Sequence, residues 1–395
     1  MSGASVPAVA SEPPDRRVSL ARLAGYFLRL GAFGFGGPIA LAGYMQRDLV
    51  ERRGWIALED FKQGLALAQL APGPLAAQLA IYLGWIRGRL LGASVVALAF
   101  IAPSFVMVLG LAALYVHFGG LFWMQGVFYG VGAAVIAIIA RSAWKLGKST
   151  LGNRWLLWAI AVANAAIVAV TEREIVWLFL AGGLVVVAAD RPRDTPARAA
   201  IFVPPWLVAG LGGAATSSTV LKLFVFFAQA GAVVFGSGLA IVPFMHGGVV
   251  NEHHWLTDQQ FLDAVAVAMI TPGPVVITVA FIGYLVAGPA GAGAAALGVF
   301  LPCYLFVVIP APFYRRIADN RRIRAFVDGV TSAAAGAIAG AAIVLARRAI
   351  SDLPAALVAA LALAAITWIK KLPEPIVILV AGGVGFALWS ARIPR

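Results

Sequence analysis

The sequence predicts an all-α polytopic membrane protein made of two homologous halves, arranged as inverted repeats with some discontinuous helices. Three observations carry this. The 395 residues are 62% hydrophobic and 12% charged, with mean hydropathy +0.91, whereas a soluble domain carries roughly 25% charge. The chain also repeats itself: Ala68-Gln69-Leu70-Ala71-Pro72-Gly73-Pro74 returns as Ala268-Met269-Ile270-Thr271-Pro272-Gly273-Pro274. Leu23 falls on Leu223, Phe27 on Phe227, Gly31 on Gly231, Trp55 on Trp255 and Ala80 on Ala280 in an alignment that needs no gap. Finally, basic and neutral loops exchange places between the copies.

Apolar stretches of about 20 residues allow about thirteen crossings joined by short loops. Residues 1–17 are small, polar and Pro-containing, and read as a disordered cytoplasmic tail without a cleavable signal. Residues 18–190 form the first repeat. Its first stretch, 18–45, is interrupted by Gly34-Phe35-Gly36-Gly37-Pro38, and its second, 61–85, carries Pro72-Gly73-Pro74. Proline removes an amide hydrogen and clashes with the preceding turn, so a helix breaks there. Stretches at 90–116, 121–140, 155–170 and 175–189 follow, giving six spans. Residues 191–217 link the halves and hold a short apolar piece, 202–215, that supplies one extra crossing. Residues 218–391 repeat the plan with Gly236-Ser237-Gly238 and Pro272-Gly273-Pro274.

The formal net charge is +13. In a soluble protein this would suggest nucleic acid; here the cations sit between spans and read as positive-inside loops. Arg87 and Arg89 correspond to the neutral Ala287-Gly288-Pro289, and the neutral His117-Phe118-Gly119-Gly120 corresponds to the Arg-rich loop 315–324. The halves are therefore expected in opposite orientations, with the N-terminus cytoplasmic, although Arg347 and Arg348 then fall on the cation-poor side. Cys303 is the single cysteine, which excludes a disulfide framework. No metal-ligand spacing, nucleophile elbow or P-loop is present, so no cofactor, metal or catalytic residue is expected.

Paired broken helices in two halves are the sequence pointer to a transporter's binding site. A helix restarting after a break exposes free amide hydrogens and a positive dipole end, which favour an anion. Pro72, Gly73, Pro74, Pro272, Gly273 and Pro274 are thus candidate substrate residues, flanked by Gln69, Gln78, Thr271 and Thr278. A packing kink is the bland alternative. The clusters Gly34, Gly36, Gly37, Pro38 and Gly236, Ser237, Gly238 read either as close helix contacts or as a second bare-backbone approach to the ligand. Arg29, at membrane depth, is a candidate anion attractor, with snorkelling as the alternative. Asp263 is the deepest carboxylate and a candidate proton-coupling group; Glu59, Asp60 and Asp258 read as helix-start residues.

Laid out this way, the chain closely resembles the chromate ion transporter family in its long two-domain form. The residues that carry the likeness are Phe33-Gly34-Phe35-Gly36-Gly37-Pro38, Arg52-Arg53-Gly54-Trp55, Leu70-Ala71-Pro72-Gly73-Pro74 with Gln78, Phe235-Gly236-Ser237-Gly238, Trp255-Leu256-Thr257, Thr271-Pro272-Gly273-Pro274 and Phe281-Ile282-Gly283-Tyr284. The resemblance implies a bacterial inner-membrane secondary carrier that expels chromate, drawing on the proton-motive force, with halves of opposite orientation. Departures are Leu41, where the family often has His, Leu75, Ala76 and Ala77, where it often has small hydroxyl residues, and Met269, where it usually has Gln. Fewer side-chain donors remain, and sulfate, a tetrahedral dianion of similar size, stays an alternative substrate. A passive anion channel and, more distantly, an intramembrane enzyme also stay open. The expected partners are the oxyanion, protons and the lipid bilayer, with a homodimer compatible with the sequence.

Overall fold

The computed structural model describes residues 18–35, 37–118, 122–171, 176–189, 219–233, 241–313, 320–350, 352–369 and 372–391. The linker piece 202–215, the tail 1–17, Gly36 and Gly236-Ser237-Gly238 lie outside them. No strand occurs among the described residues. The first half comprises α1 (Leu20–Phe33), α2 (Gly37–Met45), α3 (Leu58–Leu70), α4 (Leu75–Phe118), α5 (Phe122–Leu151), α6 (Trp155–Thr171) and α7 (Val176–Ala189). The second half answers element by element with α8 (Thr219–Val233), α9 (Ile241–His246), α10 (Asp258–Ile270), α11 (Thr278–Val308), α12 (Arg321–Ala349), α13 (Leu353–Trp368) and α14 (Glu374–Ala391).

α4 and α11 are each bent into two arms. Gly88 (φ −148°) and Arg89 (φ 51°) leave the helical region, as do Ala287 (φ −146°) and Gly288 (φ 60°). The reversal is tight. Gly84 packs on Gly92 and Gly283 on Gly291, backbone against backbone, where any side chain would hold the arms apart. A short arm, 75–87, thus folds back on a long arm, 90–118, and α11 does the same.

The stretch holding the first Pro-Gly-Pro does not cross, contrary to the span count from sequence. Gly64 on α3 packs against Tyr82 and Leu79 of the short arm, so the chain enters, turns at Pro72-Gly73-Pro74 and returns. α3 and α10 have 13 residues each, about 20 Å of helix against a hydrocarbon core of about 30 Å. Similarly, α1 and α2 enter and return: Arg53, beyond α2, lies over the Tyr26 ring of α1 at 5.5 Å, and Phe226 of α8 meets Trp255 at 5.7 Å. π-helical turns at Gln46–Arg52 and Gly247–Glu252 end these hairpins. Each is locked by a tryptophan amide, Trp55 to Leu49 O and Trp255 to Val249 O, both 2.8 Å. Replacing two spans per half by two hairpins leaves the parity of crossings unchanged.

The halves are inverted. Tyr304, far along α11, reaches back to Ser94 (2.8 Å) and the Leu90 carbonyl (3.3 Å) at the start of the long arm of α4, so the long arms run antiparallel. The α3 hairpin lies beside the beginning of that arm. The α10 hairpin lies beside its end, where Tyr115 meets Phe281 at 5.3 Å. One end of the bundle therefore gathers Arg22, Arg53, Arg87 and Arg89, with Arg87 donating to the Val18 carbonyl. There too lies the Arg154–Asp328 pair (2.7 Å). The other end holds Asp352, which accepts from Tyr129 and caps α13. Beyond the hairpins, the halves trade helices: α5 packs on α13 and α14, and α12 on α6 and α7. One buried core runs through both halves.

The copies do not align without a gap throughout. Gly73 answers Gly273, but Gly84 answers Gly283, Gly92 answers Gly291 and Pro103 answers Pro302. The missing residue lies just past the second turn. Gln78 N bonds Pro74 O in an α-turn, whereas Ile277 N bonds Pro274 O in a 3₁₀ turn spanning Val275–Ile277. A 3₁₀ turn closes with one residue fewer. Ala80 therefore answers Val279, and Arg87 and Arg89 answer Val286 and Gly288, still neutral.

Candidate anion site at the crossed hairpin tips

Each Pro-Gly-Pro tip is held by the opposite half. Gly73 and Gly273 have φ +130° and +98°, left-handed conformations that only glycine adopts at low cost. A Cβ on Gly73 would stand 2.7 Å from Cys303 Sγ on α11, and one on Gly273 would overlap Ser104 Oγ on α4. Ser104 and Cys303 are repeat equivalents in the shifted register. Both are buried and donate back toward the first hairpin of their own half, Ser104 to Gly31 O (3.2 Å) and Cys303 weakly to Gly231 O (3.8 Å).

The two tips differ in detail. Gln78 is fully buried and its amide donates to the Pro72 carbonyl, clasping the first turn from within. Its Oε1 is buried without a partner among the described residues. The second turn has no such clasp; instead Gly273 N–H donates to Gly34 O at 2.9 Å. The second Pro-Gly-Pro is thereby joined to the first glycine break, in α1–α2. Thr271 and Thr278 are buried, but their hydroxyls serve local carbonyls, Ala268 O (3.0 Å) and Val275 O (2.7 Å). Gln69 is exposed. Gly37 and Pro38 start α2, where proline's missing amide costs nothing.

Arg29 does not pack on the breaks. Leu23, Tyr26, Phe27, Leu30 and Gly31 form the buried face of α1, and Arg29 lies on the exposed face with Arg22. Asp263, by contrast, is 3% exposed. Its carboxylate accepts from Tyr115 OH at 2.7 Å and from Gln259 at 2.8 Å. Tyr115 belongs to the other half, so this cluster ties the α10 hairpin to the long arm of α4. The repeat equivalent of Asp263 is Gln63; that of Tyr115 is Tyr314, outside the described residues. No group of His, Cys, Asp and Glu suited to a metal ion occurs among the described residues.

Sequence reasoning missed Gly31, Ser104 and Tyr115 and gave Cys303 no role at the site. The Pro103-Ser104 and Pro302-Cys303 pairs were the available signal, hidden by the one-residue shift.

Two inverted halves, each with a broken Pro-Gly-Pro hairpin whose tip meets the other half, define a multi-pass membrane transporter. Comparison with known proteins then supplies the family. The chromate transporter pattern matches residues 21–187 and again 221–386; the two matches start 200 residues apart and end 199 apart, in keeping with the one-residue shift between them. The chain belongs to the chromate transporter family. It is 57% identical to a chromate transport protein of Cupriavidus metallidurans over 96% of this chain and 98% of the relative. It is 54% identical to a probable chromate transport protein of Synechococcus elongatus over 94% and 96%, respectively. A chromate transport protein of Pseudomonas aeruginosa is 34% identical over 95% of this chain and 94% of its own length. No solved structure matches.

Proposed function

We propose that this protein is a secondary carrier that exports chromate across the inner membrane, driven by the proton-motive force and with no catalytic step. Its arginine-rich end, and with it the N-terminus, faces the cytoplasm, as the positive-inside rule requires. The observation that carries the reading is the pair of crossed tips. α4 and α11 begin at the two tips and run away to opposite ends of the bundle, each tip set against the long arm of the other half. Helix starts of this kind, with their positive dipole ends and unbonded first amides, suit a tetrahedral dianion. Exchange of the tips between halves gives a reason for movement: neither hairpin shifts without the other half, as alternating access about a fixed site requires. Arg29 attracts the anion from the arginine-rich side. Sulfate remains the competing substrate, since amide hydrogens read charge and shape more than the central atom.

Proton coupling rests on Asp263. A buried carboxyl between two moving parts, held by neutral donors, changes the attraction between them when it gains or loses a proton. It stands in the hairpin entering from the cation-poor end, the side from which the proton-motive force delivers protons.

Everted membrane vesicles carrying the protein test the reading. Chromate uptake should rise when a proton gradient is imposed and fall to the basal rate with an uncoupler. Equal rates in both conditions would identify a passive channel instead, and no uptake in either would remove chromate as the substrate.

A further inference from the structure

On the arginine-rich end, α5 and α13 part to leave an open cavity of about 580 Å³, remote from the hairpin tips. Arg141, Lys145 and Lys148 line it from α5, spaced so that they share one helix face. Trp144 lies between them and is 69% exposed. Leu363 and Thr367 line it from α13, and the Thr367 hydroxyl is engaged with Leu363 O at 2.6 Å. The walls are thus cationic at the mouth and apolar toward the bilayer.

We infer that this cavity is a binding site for an anionic phospholipid, with the phosphodiester against Arg141, Lys145 and Lys148 and an acyl chain along Leu363. Charge decides the class of ligand. Glu374, at the start of α14, interacts with Arg141 and Lys145, which leaves an excess of cations to be matched by phosphate. Position decides the source. The cavity opens at the level where Trp144 and Trp368 (81% exposed) mark a membrane–water boundary, since exposed tryptophans gather there. Basic pockets between membrane helices on the cytoplasmic side suit such headgroups. The repeat does not reproduce the cluster: Arg141, Trp144 and Lys145 answer Gly340, Ile343 and Val344, and Lys148 alone answers a cation, Arg347. Because α5 belongs to one half and α13 to the other, a lipid there would bridge the halves.

The test uses the full chain in nanodiscs of phosphatidylcholine doped with phosphatidylglycerol or cardiolipin, with retained lipid counted by native mass spectrometry. The unmodified chain should hold the anionic lipid through a phosphatidylcholine wash. Arg141→Gln/Lys145→Gln/Lys148→Gln should weaken retention by on the order of tenfold or more. Arg22→Gln/Arg53→Gln/Arg89→Gln removes as much charge from the same end and should leave it unchanged. Should the first variant fail to fold, Lys148→Glu alone, at an exposed side chain, should reduce retention. Equal loss in both triple variants, undiminished retention in the cavity variants, or displacement of the lipid by millimolar inorganic sulfate would overturn the inference.

Discussion

Gly273 shows how much one residue decides. Its φ of +98° strains any other side chain by about 1–3 kcal/mol, and the atom added would meet Ser104 Oγ. Gly273→Ala should lower the melting temperature in detergent, and adding Ser104→Gly should recover part of the loss, because only the overlap is relieved. An unaltered melting curve for Gly273→Ala would show that the tip does not pack as described. Asp263→Asn keeps the hydrogen bonds to Tyr115 and Gln259 within reach but removes the titrating group. Chromate exchange between equal pools should persist, while accumulation driven by a proton gradient should fall to the uncoupled level; retained accumulation would take the coupling role from Asp263. Arg29→Gln copies the repeat position, Gln229. If Arg29 gathers the anion through its field, apparent affinity should fall, and the difference from the unmodified chain should shrink as salt is raised. Unchanged uptake would leave the attraction to the hairpin amides alone.

At the level of elements, the bends of α4 and α11 are repeat equivalents placed at opposite ends of the bundle. Leu90, 60% exposed, and its counterpart Pro289, exposed too, follow those bends directly. Cysteines at the two positions should react with a membrane-impermeant maleimide from opposite sides, Leu90→Cys in everted vesicles and Pro289→Cys in intact cells. Cys303, buried, should stay silent. Labelling of both from one side would disprove the inversion. These bends were not legible in the sequence as reversals. A run such as Trp85-Ile86-Arg87-Gly88-Arg89-Leu90 reads as a loop between spans, and nothing local says that the preceding helix is too short to cross. The Gly84–Gly92 contact that closes the bend becomes visible only in three dimensions.

For the molecule as a whole, the exchange of helices between halves makes folding a joint event. α5 finds its main partners in α13 and α14, and α12 in α6 and α7, so each half alone would leave partner surfaces bare. Residues 1–200 and 201–395 expressed separately should be degraded, whereas co-expression should restore membrane-inserted protein and chromate uptake. Stable accumulation of either half by itself would contradict this dependence.

Solvent preference and repetition are written in the order of residues, and they dictate much of this protein. A chain this apolar belongs in a bilayer, the recurring Pro-Gly-Pro duplicates one unit, and the exchange of basic for neutral loops orients the copies oppositely. The same reading singles out Gly73, Gly273 and Asp263, because glycine between prolines and a carboxylate in an apolar helix have few cheap explanations. Which stretches cross and which return emerges only from the folded chain, since reversal depends on glycine backbones meeting eight positions apart. There too Gln78 proves to clasp a turn from within and Arg29 to face outward, since helix periodicity specifies a face but not what covers it. Tertiary packing alone brings Ser104 to Gly273, Cys303 to Gly73 and Tyr115 to Asp263, because those pairings join residues of different halves, and a linear repeat carries no record of how its copies interlock.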